Sequence, residues 1–576
     1  MAEPIRSSLA GSRIGAAALA DLLGHWSTRG GPAGDGALYR LLALRIARLA
    51  DTGELSAGLR LPPERDLAAA LSVSRNTVAA AYQLLRDEGM AQSRQGAGTR
   101  IVPHRTTPAA VHRANGFFSG LLEASVVEAD LTLAAVAGAP QVADALTQPA
   151  SVVDARVLRE TITSTGYFPY GLPWLREAIA GHLTGRLGLP SSADQVMITT
   201  GGQQALDLLV RGEVLPGQPV AVEDPTFPGV LDALHRSGAS VIGIPADDGV
   251  DPGCLDHILR THRPALVYLI PTHHNPTGLI MPADARDRIV RLAAAYPDTL
   301  FVDDMTLSEL TLTKAAPLAP ALVPAPLATA DLPNLVTVGS LSKVYWGGLR
   351  VGWIRASTGL IGRLASAKAT ADLGSPAFQQ AIVAALLDGQ HDAILAWRLD
   401  WLRERYDALA GALRAYLPDW TWPVPRGGLT IWAQLPALDH AGREQNSGAF
   451  AQAALRHGVA MVPGRLLSAT GGRIRSGEYL RLAFTQPPAV LTGAVAELAR
   501  LSPTAVRAAS LPGLLAKAPT RRRCTRWSAP SPSARRRRRT GRCRTGRASS
   551  RVRRRGCCAH PSGNRSPPRG PGHPTR

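Results

Sequence analysis

Apolar residues recur at helical spacing through "LYRLLALRIARLADTGEL" from Leu38, and the stripe stops at Gly53. "LPPERDLAAAL" opens with prolines, which suit a helix's first turn, and continues as a short amphipathic helix. "SVSRNTVAAAYQLLRDEG" supplies hydroxyls near a helix start, then sets Val78, Tyr82 and Leu85 on one face, and ends at Gly89. "MAQSRQGAGTRIV" reads as two short strands around a glycine-rich turn. The polar, proline-containing "PHRTTPAAVHRANG" has the composition of a linker. From about Asp130 to Leu501 the pattern changes. Short apolar runs ("VMITT", "VAVEDP", "LVYLIP", "TLFVDD", "NLVTVGS") alternate with helical stretches, which predicts a large α/β domain with a mainly parallel sheet.

Two helices joined by a short turn and followed by a hairpin describe a winged helix-turn-helix over residues 38–102. In such a unit the second helix enters a DNA major groove, N-terminal residues foremost. That places Arg75, Asn76 and Thr77 outward, opposite the apolar stripe. Arg and Asn can bond purine edges bidentately, while hydroxyls and helix N-terminal amides suit phosphate. Arg65 begins the preceding helix, where it could meet a phosphate, and Arg94 could reach the backbone or minor groove from the wing. Gly96 and Gly98 supply the wing turn and permit close DNA approach. Each arginine alone reads more readily as a solvated surface residue; the ordered set points to double-stranded DNA. The predicted layout is an N-terminal extension (1–37), the DNA-binding unit (38–102), a linker (103–128), the α/β domain (129–505) and a tail (516–576).

Composition changes this picture in one respect. The 576 residues carry a formal net charge of +20. Residues 516–576 hold 19 Arg, one Lys and no acidic residue, which leaves 44 basic against 44 acidic residues elsewhere. The excess charge belongs to the tail, and the overall basicity says nothing about the folded part. The tail lacks apolar periodicity, cannot bury enough surface to offset its ordering entropy, and reads either as a nucleic-acid-binding arm or as a GC-rich gene translated out of frame. Four of the five cysteines lie in it, at spacings that match no zinc finger, and no metal site is expected. Cys254 alone remains in the body, which fits a reducing cytoplasm. No apolar run has the length of a membrane span, and the N-terminus shows no signal-peptide pattern.

The candidate chemistry centres on "GSLSKVYWGGLR" (339–350). A buried ammonium is costly unless paired or neutralised, so Lys343 is either a loop lysine reaching water or a lysine held for covalent chemistry with a carbonyl compound. A Schiff-base lysine needs a phosphate cradle, an acid for a ring nitrogen and an aromatic stacking partner. "TTGGQQALDLL" follows a strand and opens a helix with Gly201 and Gly202. "VEDPTFPGV" offers Phe227, "PTHHNPTG" offers Asn275, and "TLFVDDM" ends an apolar strand in two carboxylates. Ser340 and Ser342 precede the lysine, and Arg350 follows it. Each element has a plain packing explanation; five in order, each at a strand's C-terminal end, do not.

The stretch "GELSAGLRLPPERDLAAALSVSRNTVAAAYQLLRDEGMAQSRQGAGTRIV" resembles the DNA-binding domain of GntR-type bacterial regulators, with Pro63 where that family more often has serine. Residues 130–500 resemble pyridoxal-5′-phosphate (PLP) enzymes of aminotransferase fold type I. Together the halves resemble the MocR subfamily of transcription regulators. The resemblance implies that Lys343 forms the Schiff base with PLP, Asp303 pairs with the pyridine nitrogen, Asn275 bonds the ring 3′-oxygen and Phe227 stacks on the ring. Gly201, Gly202, Ser340, Ser342 and Arg350 would hold the phosphate, with Tyr167 reaching the phosphate of a partner subunit. Arg481, in "YLRLAF", would clamp an effector's α-carboxylate. The resemblance further implies a homodimer, in which the DNA-binding domains could be exchanged, with an amino-acid-like compound or PLP as effector. Met305 stands where such regulators usually place a tyrosine, and a thioether cannot donate that hydrogen bond. A regulator and a working aminotransferase with a vestigial N-terminal domain both remain open; the intact "SVSRNTV" helix and Met305 favour the regulator.

Overall fold

The computed structural model describes residues 13–24, 38–51, 54–56, 58–87, 90–94, 98–102, 127–246, 248–312, 323–436, 446–469 and 475–501. The Arg-rich tail, most of the linker, Gly96 and the Arg94 side chain lie outside them.

The N-terminal head contains α1 (Ala16–Leu23), α2 (Leu38–Asp51), α3 (Glu64–Leu71), α4 (Arg75–Asp87), β1 (Ala91–Arg94) and β2 (Gly98–Ile101). Helices α2 to α4 and the hairpin are those the periodicity predicts. The turn between α3 and α4 is made by Ser72, at φ 52°, and Ser74, whose Oγ accepts the Thr77 amide at 3.1 Å. Val78, Tyr82 and Leu85 are buried as a stripe, and the Tyr82 hydroxyl donates to the Pro62 carbonyl at 3.0 Å. The extension is not merely a lead-in. Its helix α1 puts Leu19, Ala20 and Leu23 into the same core as Leu42, Leu67 and Leu85. Eight residues are too few to make a helix stand alone, so packing decides it and periodicity could not.

The large domain runs in chain order through β3 (Ala129–Asp130), α5 (Pro140–Thr147), α6 (Ala155–Thr163), α7 (Pro173–Gly185), β4 (Val196–Thr199), α8 (Gly202–Glu213), β5 (Pro219–Asp224), α9 (Pro228–Ser237), β6 (Ser240–Pro245) and α10 (Pro252–His262). It continues through β7 (Leu266–Leu269), α11 (Ala283–Ala295), β8 (Leu300–Asp304), β9 (Leu335–Ser340), β10 (Gly352–Arg355), α12 (Thr358–Asp372), α13 (Ala377–Gly389) and α14 (His391–Tyr416). A smaller C-terminal part adds β11 (Thr430–Gln434), α15 (Ser447–Arg456), β12 (Val459–Ala460), β13 (Val462–Pro463), β14 (Tyr479–Ala483) and α16 (Pro488–Leu501). The main sheet has seven strands in the order β4-β10-β9-β8-β7-β5-β6. Only β10 runs against its neighbours, β4 and β9. Runs such as Val220–Val222 and Leu266–Leu269 are apolar at every position because helices cover both faces. The parallel strands therefore end on one rim, from which the loops bearing Gly201, Phe227, Asn275, Asp304 and Lys343 emerge.

The head meets the C-terminal part through α15. Arg456 donates to the Leu71 and Ser72 carbonyls (2.8 and 2.7 Å), satisfying acceptors that the end of α3 leaves open. Ser72 Oγ donates to the Ala449 carbonyl, Gln452 to the Gly24 carbonyl, and Arg465 pairs with Asp21 of α1.

Candidate functional site

The N-terminus of α8 forms one wall of the site. Gly201 precedes it at φ 98°, where a side chain would be strained, and a Cβ there would stand 3.1 Å from the Arg350 guanidinium. A Cβ on Gly202 would stand 3.4 Å from Thr306 Oγ1. Arg350 is fixed by the Thr200 and Gly347 carbonyls. Ser340 Oγ lies 3.0 Å from Ser342 Oγ and accepts the Ser342 amide. Helix amides, a guanidinium and hydroxyls so arranged make an anion cradle.

Lys343 follows that cradle. Its Nζ donates to the Ala134 carbonyl at 2.7 Å. Burial, then the Arg481 and Arg350 charges, push its pKa down to about 8, against the opposing pull of Asp304. Asn275 Oδ1 is buried without a hydrogen-bond partner. Phe227 is half-buried against the core that includes Val222 and Val338. Arg481, at the middle of β14, is buried and donates to the Thr132 carbonyl. Burial lowers its pKa to about 10, with Asp130 opposing.

The two carboxylates of β8 part company, because successive strand residues face opposite sides. Asp303 shares its side with Phe301, accepts the Leu327 amide at 2.9 Å and feels the Arg286 charge; burial raises its pKa to about 6. Asp304 shares its side with Val302. It accepts the Tyr268 hydroxyl at 2.6 Å and the Thr306 amide at 2.9 Å, and is the one coupled to Lys343. Burial raises the Asp304 pKa as well. Asp303, the carboxylate expected at the site, thus faces away from Lys343, and strand parity gives that side to Asp304. Met305 lies on the Asp303 side of the strand end. Its side chain packs into the core with Leu341 and Val344, and the hydroxyl near the cradle comes from Thr306. The sequence "DDMT" offered both pairs, and only the register of β8 separates them.

Tyr167 is 64% exposed and makes no hydrogen bond among the described residues. It does not join the cradle of its own chain. In the head, Arg65, Arg75 and Asn76 are exposed and Thr77 is half-buried at the start of α4. Arg75 pairs with Glu64 at 3.2 Å, a mostly exposed contact that DNA could replace. Gly98 sits at φ 76°, where a side chain would be strained, and a Cβ there would also press on the Arg60 guanidinium, 2.6 Å from Nε.

Known proteins match both halves. Residues 38–101 match the bacterial regulatory proteins of the gntR family, and residues 136–498 match aminotransferase class I and II. Over 401 residues the chain is 30% identical to the uncharacterized HTH-type transcriptional regulator YisV of Bacillus subtilis, covering 66% of this chain and 80% of YisV. The chain belongs to the MocR subfamily of GntR-type transcription regulators. This MocR-type chain is also 31% identical over 321 residues to the HTH-type pyridoxine biosynthesis transcriptional regulator PdxR of Corynebacterium glutamicum, covering 55% of this chain and 65% of PdxR. The crystal structure of LysN, the α-aminoadipate aminotransferase of Thermus thermophilus complexed with N-(5′-phosphopyridoxyl)-L-leucine, superimposes with a TM-score of 0.56 at 30% identity, covering 68% of this chain and 95% of LysN. The cofactor of the MocR-type large domain is PLP, and its head is a DNA-binding domain.

Proposed function

We propose that this regulator senses a small molecule bearing an amino group and a carboxylate, and that the segment from Leu131 to Ala134 carries its arrival to the DNA-binding head. The residues fit PLP. The glycine-and-guanidinium cradle suits its phosphate, the unpartnered Asn275 Oδ1 suits the ring's polar edge, and Lys343 is a half-buried amine whose pKa is pushed down to about 8. Lys343 would join its aldehyde, Asp304 would face the pyridine nitrogen, and Gly201, Gly202, Ser340, Ser342 and Arg350 would hold its phosphate. Asn275 and Thr306 would flank the ring, with Phe227 against its face. When bound, PLP supplies an electrophilic carbon for amines and a ring that withdraws electrons from it.

One observation carries the sensing claim. Two of the site's three cations are held by carbonyls of a single segment, Lys343 by Ala134 and Arg481 by Thr132, while Arg350 is held elsewhere, by Thr200 and Gly347. An effector carboxylate forms a charge-assisted, bidentate pair with Arg481 that a neutral carbonyl cannot match. It therefore competes with Thr132. The segment is not isolated: the Leu131 amide donates to the Ala460 carbonyl, and β3 pairs with β12, just after the helix that grips the turn between α3 and α4. Displacing Thr132 thus loads the same small part of the fold that holds the head, which is the differential interaction a ligand needs to shift an equilibrium.

A homodimer belongs to this reading. Exposed Ile162, Tyr167, Tyr170, Trp346 and Phe378 offer apolar surface that a second copy would cover. The head meets α15 of its own chain, and in a domain-exchanged dimer the same surfaces would meet between chains. The test is DNA footprinting with and without candidate amino acids, run beside a transamination assay. The reading expects an effector-dependent footprint that Arg481→Lys blunts, with slow or no turnover. Rapid turnover with an unchanging footprint would make the chain an aminotransferase instead.

A further inference from the structure

Behind the site, three side chains from separate elements converge: His182 of α7, Glu309 in the turn after β8, and His391 at the start of α14. Their side chains are 5%, 8% and 6% exposed. His391 Nε2 lies 2.8 Å from Glu309 Oε1, and His182 Nε2 lies 3.3 Å from Glu309 Oε2. All three potential ligand atoms fall within 4.8 Å of one another. A sequence scan for ligand spacing could not find them, since 82 residues separate Glu309 from His391.

We propose that His182, Glu309 and His391 bind one divalent cation of the zinc class. The arrangement differs from a closed hydrogen-bond network in one place. Glu309 Oε1 accepts from Arg186 at 3.1 Å besides meeting His391. Oε2 faces His182 Nε2, which makes no aligned hydrogen bond although it is buried and aimed into the cluster. Ligand atoms around a tetrahedral zinc ion sit about 3.3 Å apart, a spacing that follows from zinc–nitrogen and zinc–oxygen bonds near 2.0–2.1 Å. The three atoms here lie within 4.8 Å of one another and would draw together from that spread on binding. Two neutral imidazoles and one carboxylate suit zinc or cobalt better than calcium or magnesium, which take oxygen alone.

The surroundings have the partners such a site needs. His391 Nδ1 lies 3.2 Å from the Tyr345 hydroxyl oxygen, which can accept a hydrogen bond from Nδ1–H and so leave the Nε2 lone pair for the ion. Arg186 is the competing cation. It is also engaged by Asp392, so it can stay on Glu309 Oε1 as an outer clamp while Oε2 takes the metal. Asp392 is 83% exposed and Arg186 39%, which gives an ion a way in from solvent. Tyr345 stands two residues after Lys343, and Glu309 five residues after Asp304. The ion would therefore tie together the segments that present the cofactor lysine and the acid facing it.

The test uses the full chain, stripped with a chelator and titrated with Co²⁺. The expected result is one equivalent per chain with visible ligand-field bands of a nitrogen–oxygen site and no sulfur charge-transfer band, which separates it from the tail cysteines. His182→Gln and His391→Gln should each lose that equivalent, and Zn²⁺ should raise the melting temperature of the parent but not of the variants. Metal-free melting and PLP uptake report whether each variant folds. No stoichiometric binding by the parent, or bands that survive both substitutions in folded variants, would overturn the proposal.

Discussion

The head and the large domain place their chemistry in opposite surroundings. Arg65, Arg75 and Asn76 stand in water, with the largely exposed Arg75–Glu64 pair as a side-chain contact of the set. Asp304 and Arg481 are buried, Lys343 is half-buried between them, and the Lys343 ammonium feels both of their charges. A surface reader gains from a ligand that brings its own strong charges, such as DNA phosphates. A buried site must hold charge before the ligand comes, and it does so here by lending backbone carbonyls to Lys343 and Arg481. Substitutions in the head should therefore act singly and modestly, whereas those in the large domain should act severely and together.

The most severe is Lys343→Ala, which should abolish the visible absorbance of bound PLP, because no other group can form the bond. Absorbance spectra after incubation with PLP decide this. Next, Asp304→Ala should weaken PLP binding about 100-fold or more, as expected when one member of a buried charged pair is removed. Asp303→Ala should instead lower thermal stability with less effect on binding, since its partner is the Leu327 amide. Equal binding losses would show that strand parity had been misjudged.

In the head, Arg75→Ala should cost about 1–3 kcal/mol of discrimination at one base pair. Arg65→Ala should weaken all sequences alike and lessen the salt dependence. Competition between operator and random DNA at two salt concentrations separates the two. A milder effect is one of pH. The Lys343 amine is the reactive form, and its pKa lies near 8 rather than 10.5. The rate of PLP loading should rise about tenfold per pH unit below 8 and level off above it. The sign for stability follows: burial disfavours the ammonium, so the unfolded chain binds this proton more tightly, and this contribution to stability grows from about pH 8 to 10.5. Smallest of all, Arg456→Ala removes two hydrogen bonds to the turn between α3 and α4. It should change effector-free DNA affinity about fivefold or less, at about 1 kcal/mol.

The same contrast explains what could be read from the sequence. The winged helix-turn-helix was legible because helix periodicity, Ser74 as a cap and a glycine turn are local signals. The α/β alternation and the order of Gly201, Asn275 and Lys343 were legible for a similar reason, since each follows the end of its own apolar strand, and Arg350 lies in the same connection as Lys343. The choice between Asp303 and Asp304 was not, because it needs the register of β8 against its neighbours. Nor was the role of Thr132 and Ala134, which act through carbonyls that every residue has. Helix α1 was hidden because it depends on a core assembled elsewhere, and the His182–Glu309–His391 cluster because its members meet only in the folded chain.

The coupling between effector site and reader is the central claim, and hydrogen exchange of the full PLP-loaded chain tests it most directly. The amides of Leu131 and Ala483 are held by the Ala460 and Leu131 carbonyls, and the Val73 amide by Ala68 in the turn beside α4. When an effector amino acid is added, the account predicts faster exchange at both places at once, with Arg481→Lys suppressing both. Faster exchange around Leu131 while the turn near Val73 stays unchanged would contradict it.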